Sequence, residues 1–276
     1  MRLPLELMYQ VFNILEEEEG HKSLKQCALA YSQFSSHCQS LLFAKIALTF
    51  DLKEILPRRL RILLENNPKL GTYVRSLYTL WDEDGARSPS IPVILALCTR
   101  VNEFILHSKM YGVSWRAMFQ GMNRTAVESI IHSPFLERLS IIGFKGIPLS
   151  TTGSPCGGFF TSLKLDLLHE GAVHPSDAGA DIPPTPLENR SRRTPTFLRT
   201  LDVYPASLLS QLVEAMRDDD KPIFDFSQLS SLTVIEVSPR PYAPYINRLL
   251  RYGAPLECLK LTYSGAFLFI SRLLLF

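Results

Sequence analysis

The sequence predicts an α/β fold, and three observations predict it. Residues 3 to about 45 carry only a helical period. Further along, a short motif of the form apolar-x-x-apolar-x-apolar recurs seven times. Its copies are Val74/Leu77/Thr79, Val101/Phe104/Leu106, Leu136/Leu139/Ile141, Phe160/Leu163/Leu165, Leu198/Leu201/Val203, Leu229/Leu232/Val234 and Leu256/Leu259/Leu261. Helix-period segments fill most of the gaps between copies, and three copies closely follow a proline, at Pro134, Pro195 and Pro255. A strand paired with a helix cannot bury its apolar face alone, whereas stacked copies share one core. The expected architecture is therefore an irregular leucine-rich-repeat solenoid preceded by a small trihelical unit.

The first helix starts just after Pro4, where a fixed φ suits a first helical turn, and its stripe is Leu7, Val11, Ile14 and Leu15. Gly20 ends it. Leu24, Cys27, Ala28 and Tyr31 repeat the spacing with Phe34 one turn on, and Leu41, Leu42 and Phe43 close a third short segment. These helices make up a unit over residues 1–50. A connecting helix then occupies the span 51–72, with Ile55, Leu56, Leu60, Leu63 and Leu64 on a stripe that stops at Asn66, Asn67 and Pro68. The repeat domain covers 73–276. Helical periods precede its motifs at 91–99, 114–131, 207–217 and 242–252, and the proline-rich stretch at about 169–196 reads as a flexible insertion.

Composition narrows the function. Of 276 residues, 29 are basic and 27 acidic, a balance of +2 that leaves no electrostatic footprint for nucleic acid or an anionic membrane. No signal-peptide pattern opens the chain, so a cytoplasmic and/or nuclear location is expected. The five cysteines are odd in number and scattered, as reduced and mostly buried thiols would be. The apolar stretch from Gly265 to Phe276 is too short to span a bilayer.

No catalytic constellation survives inspection. His169-Glu170 opens like a zinc-protease helix, but position 173 is Val, so the second histidine is missing. Gly153 to Gly157 lacks the glycine and serine spacing of a nucleophile elbow, and Gly157-Gly158 lacks the lysine of a phosphate loop. Cys27 and Cys38 with His21 and His37 have no zinc-site spacing. The expectation is a protein that is not an enzyme and needs no cofactor or metal.

Leu3-Pro4-Leu5-Glu6-Leu7 resembles the opening of an F-box, with Val11, Phe12 and Leu15 in its first-helix apolar positions, Leu24 through Phe34 like its second helix, and Leu41-Leu42-Phe43 like its close. The stretch from Leu63 to Leu77 resembles the helix and first strand located after the F-box in the F-box-like group of mushroom-forming fungi. Over about residues 3 to 265 the chain thus resembles F-box proteins with leucine-rich repeats. Phe34 stands where many members carry tryptophan, and the run Glu16 to Glu19 lengthens the first turn. The resemblance implies a non-enzymatic substrate-recognition adaptor of a cullin-based, SCF-type ubiquitin ligase. Its F-box would dock on a Skp-type adaptor through Leu3, Pro4, Leu7, Val11, Leu15, Leu24 and Phe34, and its repeats would hold a protein substrate. The alternative is a free-standing repeat scaffold for protein interaction, without the ligase.

Alternation along the motif strands points to the substrate face. If the motif positions are buried, the residues between them lie on the opposite, concave face: Glu103, Arg138, Ser140, Lys164, Asp166, Asp202, Thr233 and Lys260, flanked by His107, Tyr204 and Thr262. Three acidic and three basic side chains among them suit a protein partner better than a polyanion.

Overall fold

The structure, a computed structural model, describes residues 8, 10–14, 21–30, 32–49, 55–110, 113–147, 161–166, 196–204, 212, 224–235, 239–252, 256–263 and 266–271. Helical residues 10–14 (α1) are followed by α2 (His21–Ala30) and α3 (Ser32–Leu42). Phe12, Leu24, Phe34 and Cys38 form a small core of their own, in which the Phe12 and Phe34 rings meet edge-on with centroids 5.3 Å apart. Leu41 and Leu42 are the end of α3, so the third segment expected there is not a separate helix.

The chain then enters a sheet of nine strands. These are β1 (Lys45–Thr49), β2 (Ser76–Trp81), β3 (Glu103–Ser108), β5 (Arg138–Ile142), β7 (Ser162–Asp166), β9 (Thr200–Tyr204), β11 (Ser231–Ile235), β12 (Cys258–Tyr263) and β13 (Ala266–Ser271), and they lie in that spatial order. Each neighbouring pair is parallel except the last, where β13 turns back antiparallel to β12. Helices connect them: α4 (Ile55–Asn66) with a 3-10 turn (Pro68–Tyr73), α5 (Glu83–Arg87), α6 (Ser90–Leu97), α7 (Trp115–Met118), α8 (Gly121–Ile131) and α9 (Pro239–Tyr252). Two short parallel pairs flank the sheet, β4 (Val113–Ser114) with β6 (Phe144–Lys145), and β8 (Thr196–Phe197) with β10 (Phe224–Asp225).

All seven motif copies become strands of this one sheet. The leucine-rich-repeat solenoid is not what they build, and that expectation is corrected. β1 and β13 carry no motif, the final strand reverses direction, and the connections differ from one another in length and content. A solenoid needs like units, each closing on its neighbour. Here unlike connections cover a single continuous α/β sheet. The sheet also begins at Lys45, inside the 1–50 unit, because β1 pairs with β2 from Lys45–Ser76 to Thr49–Leu80. The insertion expected at about 169–196 lies, apart from Thr196, outside the described residues.

A repeated backbone bond sets the register. At the start of each new strand, one carbonyl of the preceding strand's lead-in accepts two successive amides. Ala44 O takes Arg75 N and Ser76 N at 2.8 and 2.9 Å, Arg75 O takes Asn102 N and Glu103 N at 2.9 and 3.0 Å, and Asn102 O takes Glu137 N and Arg138 N at 2.8 and 2.9 Å. Glu137, Thr161, Arg199 and Ser230 continue the series up to Cys258. Using both lone pairs of each oxygen locks every strand one way relative to the next.

That register lines up Leu77, Phe104, Leu139, Leu163, Leu201, Leu232 and Leu259 side by side, all buried, with Leu48, Thr79, Leu106, Ile141, Leu165, Val203 and Val234 in the next row. Leu64 of α4, Ile91, Ile94 and Leu95 of α6, Val127 and Ile131 of α8, and Ile246 and Leu249 of α9 join the same core. Thr79 is tolerated there because its hydroxyl donates to Ile105 O at 3.1 Å and accepts from the Trp81 indole at 2.8 Å. Trp81, Trp115, Phe119 and Phe144 meet edge-on or tilted at the strands' far end, with centroids as close as 4.4 Å.

Two glycines are dictated by geometry. Gly143 has φ +81°, where a side chain is strained, and its amide reaches Asp166 O at 2.6 Å. Gly71, in the 3-10 turn, lies so close to the Leu97 carbonyl that an added Cβ would collide with backbone. Gly71→Ala is therefore expected to cost about 1–3 kcal/mol of stability by forced backbone displacement, read as a lowered urea midpoint with an unchanged slope. An unchanged midpoint would mean that the turn and α6 do not pack this closely.

Candidate functional site

Parallel sheets are nearly always covered on both faces, and their strands then read as continuous apolar runs. These strands alternate instead. β2, β3, β7, β9 and β11 each bury every second residue and leave the others half-buried or exposed. The alternate residues form three rows that cross the sheet. One runs Lys45, Ser76, Glu103, Arg138, Ser162, Thr200, Ser231, Cys258. Its neighbour runs Ala47, Tyr78, Ile105, Ser140, Lys164, Asp202, Thr233, Lys260, and the third includes Leu80, His107, Ile142, Asp166, Tyr204 and Thr262.

All eight residues expected on the substrate face are thereby brought to one surface. Glu103 and Arg138 are neighbours in the first row. The Glu103 carboxylate accepts from Ser76 Oγ at 2.6 Å and from Arg138 Nε at 3.1 Å. The serine hydrogen bond, then the arginine, hold its carboxyl below the usual carboxylate range, while partial burial opposes them. The middle row contributes Ser140, Lys164, Asp202, Thr233 and Lys260, in which the basic Lys164 stands beside the acidic Asp202. Asp166 lies in the third row between Ile142 and Tyr204, with one carboxylate oxygen, Oδ1, buried and without a hydrogen-bond partner among the described residues. Burial pushes its carboxyl up, against weaker pulls from Lys164 and His107.

Spacing alone missed Tyr78, although it occupies the same alternate position in the first motif copy. Its Oη lies 2.8 Å from His107 Nδ1 across the β2–β3 pair, and burial raises the phenol above its ordinary range. Leu80, Ile105 and Ile142 stand among these polar groups, so the face offers apolar contact beside its charges.

The residues expected to dock an adaptor separate. Leu24 and Phe34 are buried inside the helical unit's own core, which corrects their reading as contact residues: they hold α2 and α3 together. Val11 is exposed, as are Ile14 and Leu29, the last 88% exposed. Leu3, Pro4, Leu7 and Leu15 lie outside the described residues. Ser36 Oγ meets Tyr73 Oη at 2.9 Å, tying the unit to the 3-10 turn before β2.

Among the described residues no group of His, Cys, Asp and Glu has the arrangement to hold a metal ion, and no helix is long and apolar enough to cross a membrane. Cys38 and Cys98 are buried, and burial pushes the Cys98 thiol up to about 12, far from a reactive thiolate. No family model, curated protein or solved structure matches the chain.

The two carboxylates of the face lead to opposite pH effects. Asp166, raised in the fold, is harder to ionise folded than unfolded, so its charge opposes folding above the folded pKa and not below the unfolded one. Asp166→Asn should raise the melting temperature at neutral pH and make no difference in strong acid. Glu103, lowered in the fold, stabilises above its unfolded pKa, and that stabilisation is lost as pH falls through the folded one. Glu103→Gln should therefore lower the melting temperature at neutral pH and converge with wild type in acid. Thermal unfolding followed by circular dichroism between strong acid and neutral pH reads both, and pH-independent differences would contradict the assigned environments.

Proposed function

We propose that this chain is a non-enzymatic recognition subunit of a cullin-based, SCF-type ubiquitin ligase, acting inside the cell. The N-terminal helices resemble an F-box and serve to dock a Skp-type adaptor, while the bare face of the sheet holds a protein substrate for ubiquitin transfer by the assembled ligase. The chain itself contributes no bond-making step. What carries the substrate half of this reading is the alternation of a parallel sheet that leaves three rows of mixed charge, hydroxyl and aliphatic side chains uncovered by its described helices. What supports the adaptor half is the resemblance of Leu3 to Leu7, together with a small helical unit that spends Phe12, Leu24 and Phe34 on its own core and keeps Val11, Ile14 and Leu29 on its surface.

Charges placed in a patch that becomes desolvated on binding cost several kcal/mol when unpaired. Val11→Asp with Ile14→Asp should therefore abolish pull-down of a Skp-type adaptor at micromolar concentration while leaving the far-ultraviolet spectrum and melting temperature near wild type, because both positions are exposed. If wild type itself captures no adaptor, the chain is a free-standing interaction scaffold instead.

The substrate face has a separate test. Reversing charge at Arg138, Lys164 and Lys260 together should weaken capture of a co-purifying substrate about tenfold or more, with the far-ultraviolet spectrum retained and a modest drop in melting temperature from the lost Arg138–Glu103 pair. Unchanged capture would move recognition to the loops at the strand ends.

A further inference from the structure

The α4 helix joins β1 to β2 within the sheet, yet it is built for more than connection. Its inner side carries Pro57 and Leu64, both buried, and packs on α6. Pro57 sits in the first turn, where a missing amide costs nothing. The outer side carries Ile55, Leu56, Ile62 and Leu63, which remain between 42% and 61% exposed. Four large aliphatic side chains on the outside of a 12-residue helix reverse the usual arrangement, in which the face away from the core is polar. The other exposed large apolar residues beyond the helical unit, Met110, Met122, Phe135 and Phe197, are spread through the chain.

The charges around the stripe identify what would cover it. α4 contains three arginines and a single acid, and that acid, Glu65, is taken by Arg61 at 2.9 Å. Arg58 and Arg59, both exposed, therefore have no carboxylate left to pair with among the described residues of their own helix, Ile55–Asn66. Helical spacing places Arg59 among the aliphatics and Arg58 at their margin. A second copy is a poor occupant, because apposed α4 helices would bring like charges together. A lipid surface is a poor one too: the stripe holds no aromatic residue, and side chains whose inner surfaces already pack on the fold cannot sink about 5–10 Å into a headgroup layer.

We propose that the outer face of α4 is a docking surface for an acidic amphipathic helix of a partner protein, whose apolar side covers Ile55, Leu56, Ile62 and Leu63 while its carboxylates pair with Arg58 and Arg59. This site is distinct from the sheet face and from the exposed residues of α1 and α2, and it stands whether or not those bind a ligase adaptor.

The probe is a fluorescein-labelled synthetic helix with leucines on one side and glutamates on the other, titrated with the full chain by anisotropy. Its counterpart, with lysines replacing the glutamates, serves as control. The acidic helix should bind saturably, weaken as salt is raised, and lose about tenfold or more in affinity to Leu56→Asp with Leu63→Asp, and likewise to Arg58→Glu with Arg59→Glu. The basic control should not bind. Because all four positions are exposed, both double variants should keep the wild-type melting temperature, so lost binding is not lost folding. The proposal is overturned by binding that ignores peptide charge or either double variant, or by no saturable binding at millimolar chain. It is overturned equally by dimerisation, or by co-sedimentation with phosphatidylserine vesicles, that these variants abolish.

Discussion

The double acceptance of two successive amides by one carbonyl, repeated from Ala44 to Ser230, is the constraint on which the rest of the structure depends. A strand has a side-chain period of two, so a slip of one residue would turn every core residue outward and every polar residue inward. By engaging both lone pairs of a lead-in carbonyl, each strand start fixes the next. Leucine then meets leucine or phenylalanine from β2 to β12. The buried rows, the half-exposed rows and the placement of the helices all derive from that alignment.

The asymmetry of the sheet is the consequence with functional weight. The helices whose side chains enter the large core seal one face, and burying an aliphatic side chain there contributes about 1.5–3 kcal/mol each relative to leaving it in water. The opposite face is held by local polar pairing, Ser76 to Glu103 to Arg138 and Tyr78 to His107, which orders side chains that are half-buried or exposed. Such pairs contribute little to stability. They supply a patterned surface on a scaffold whose stability lies elsewhere.

Much of this was legible in the residues. The seven motif copies became seven strands because alternation is a local property, and the eight residues assigned to the substrate face share that face because alternation fixes sidedness once register is set. Other features were not legible. Lys45–Thr49 reads as an ordinary continuation after a helix, and only pairing with β2 makes it a strand. Leu24 and Phe34 carry the residue types of a docking patch and of a core alike; the packing of Phe12 and Cys38 against them decides for the core. Similarly, nothing in the composition of α4 tells which of its two apolar sides meets α6.

By itself, the sequence determined the α/β class, the positions of the seven motif strands, the helix of the 51–72 segment and the polar character of one sheet face, because each rests on periodicity within a few residues. The tertiary structure decided that the strands build one nine-stranded sheet closed by an antiparallel strand rather than a solenoid, that Tyr78 meets His107, that Asp166 keeps a buried oxygen without a partner among the described residues, and that the aliphatic residues of α4 face outward. These depend on contacts between residues tens of positions apart. Local periodicity specifies which side of an element is apolar, but not which other element arrives to cover it.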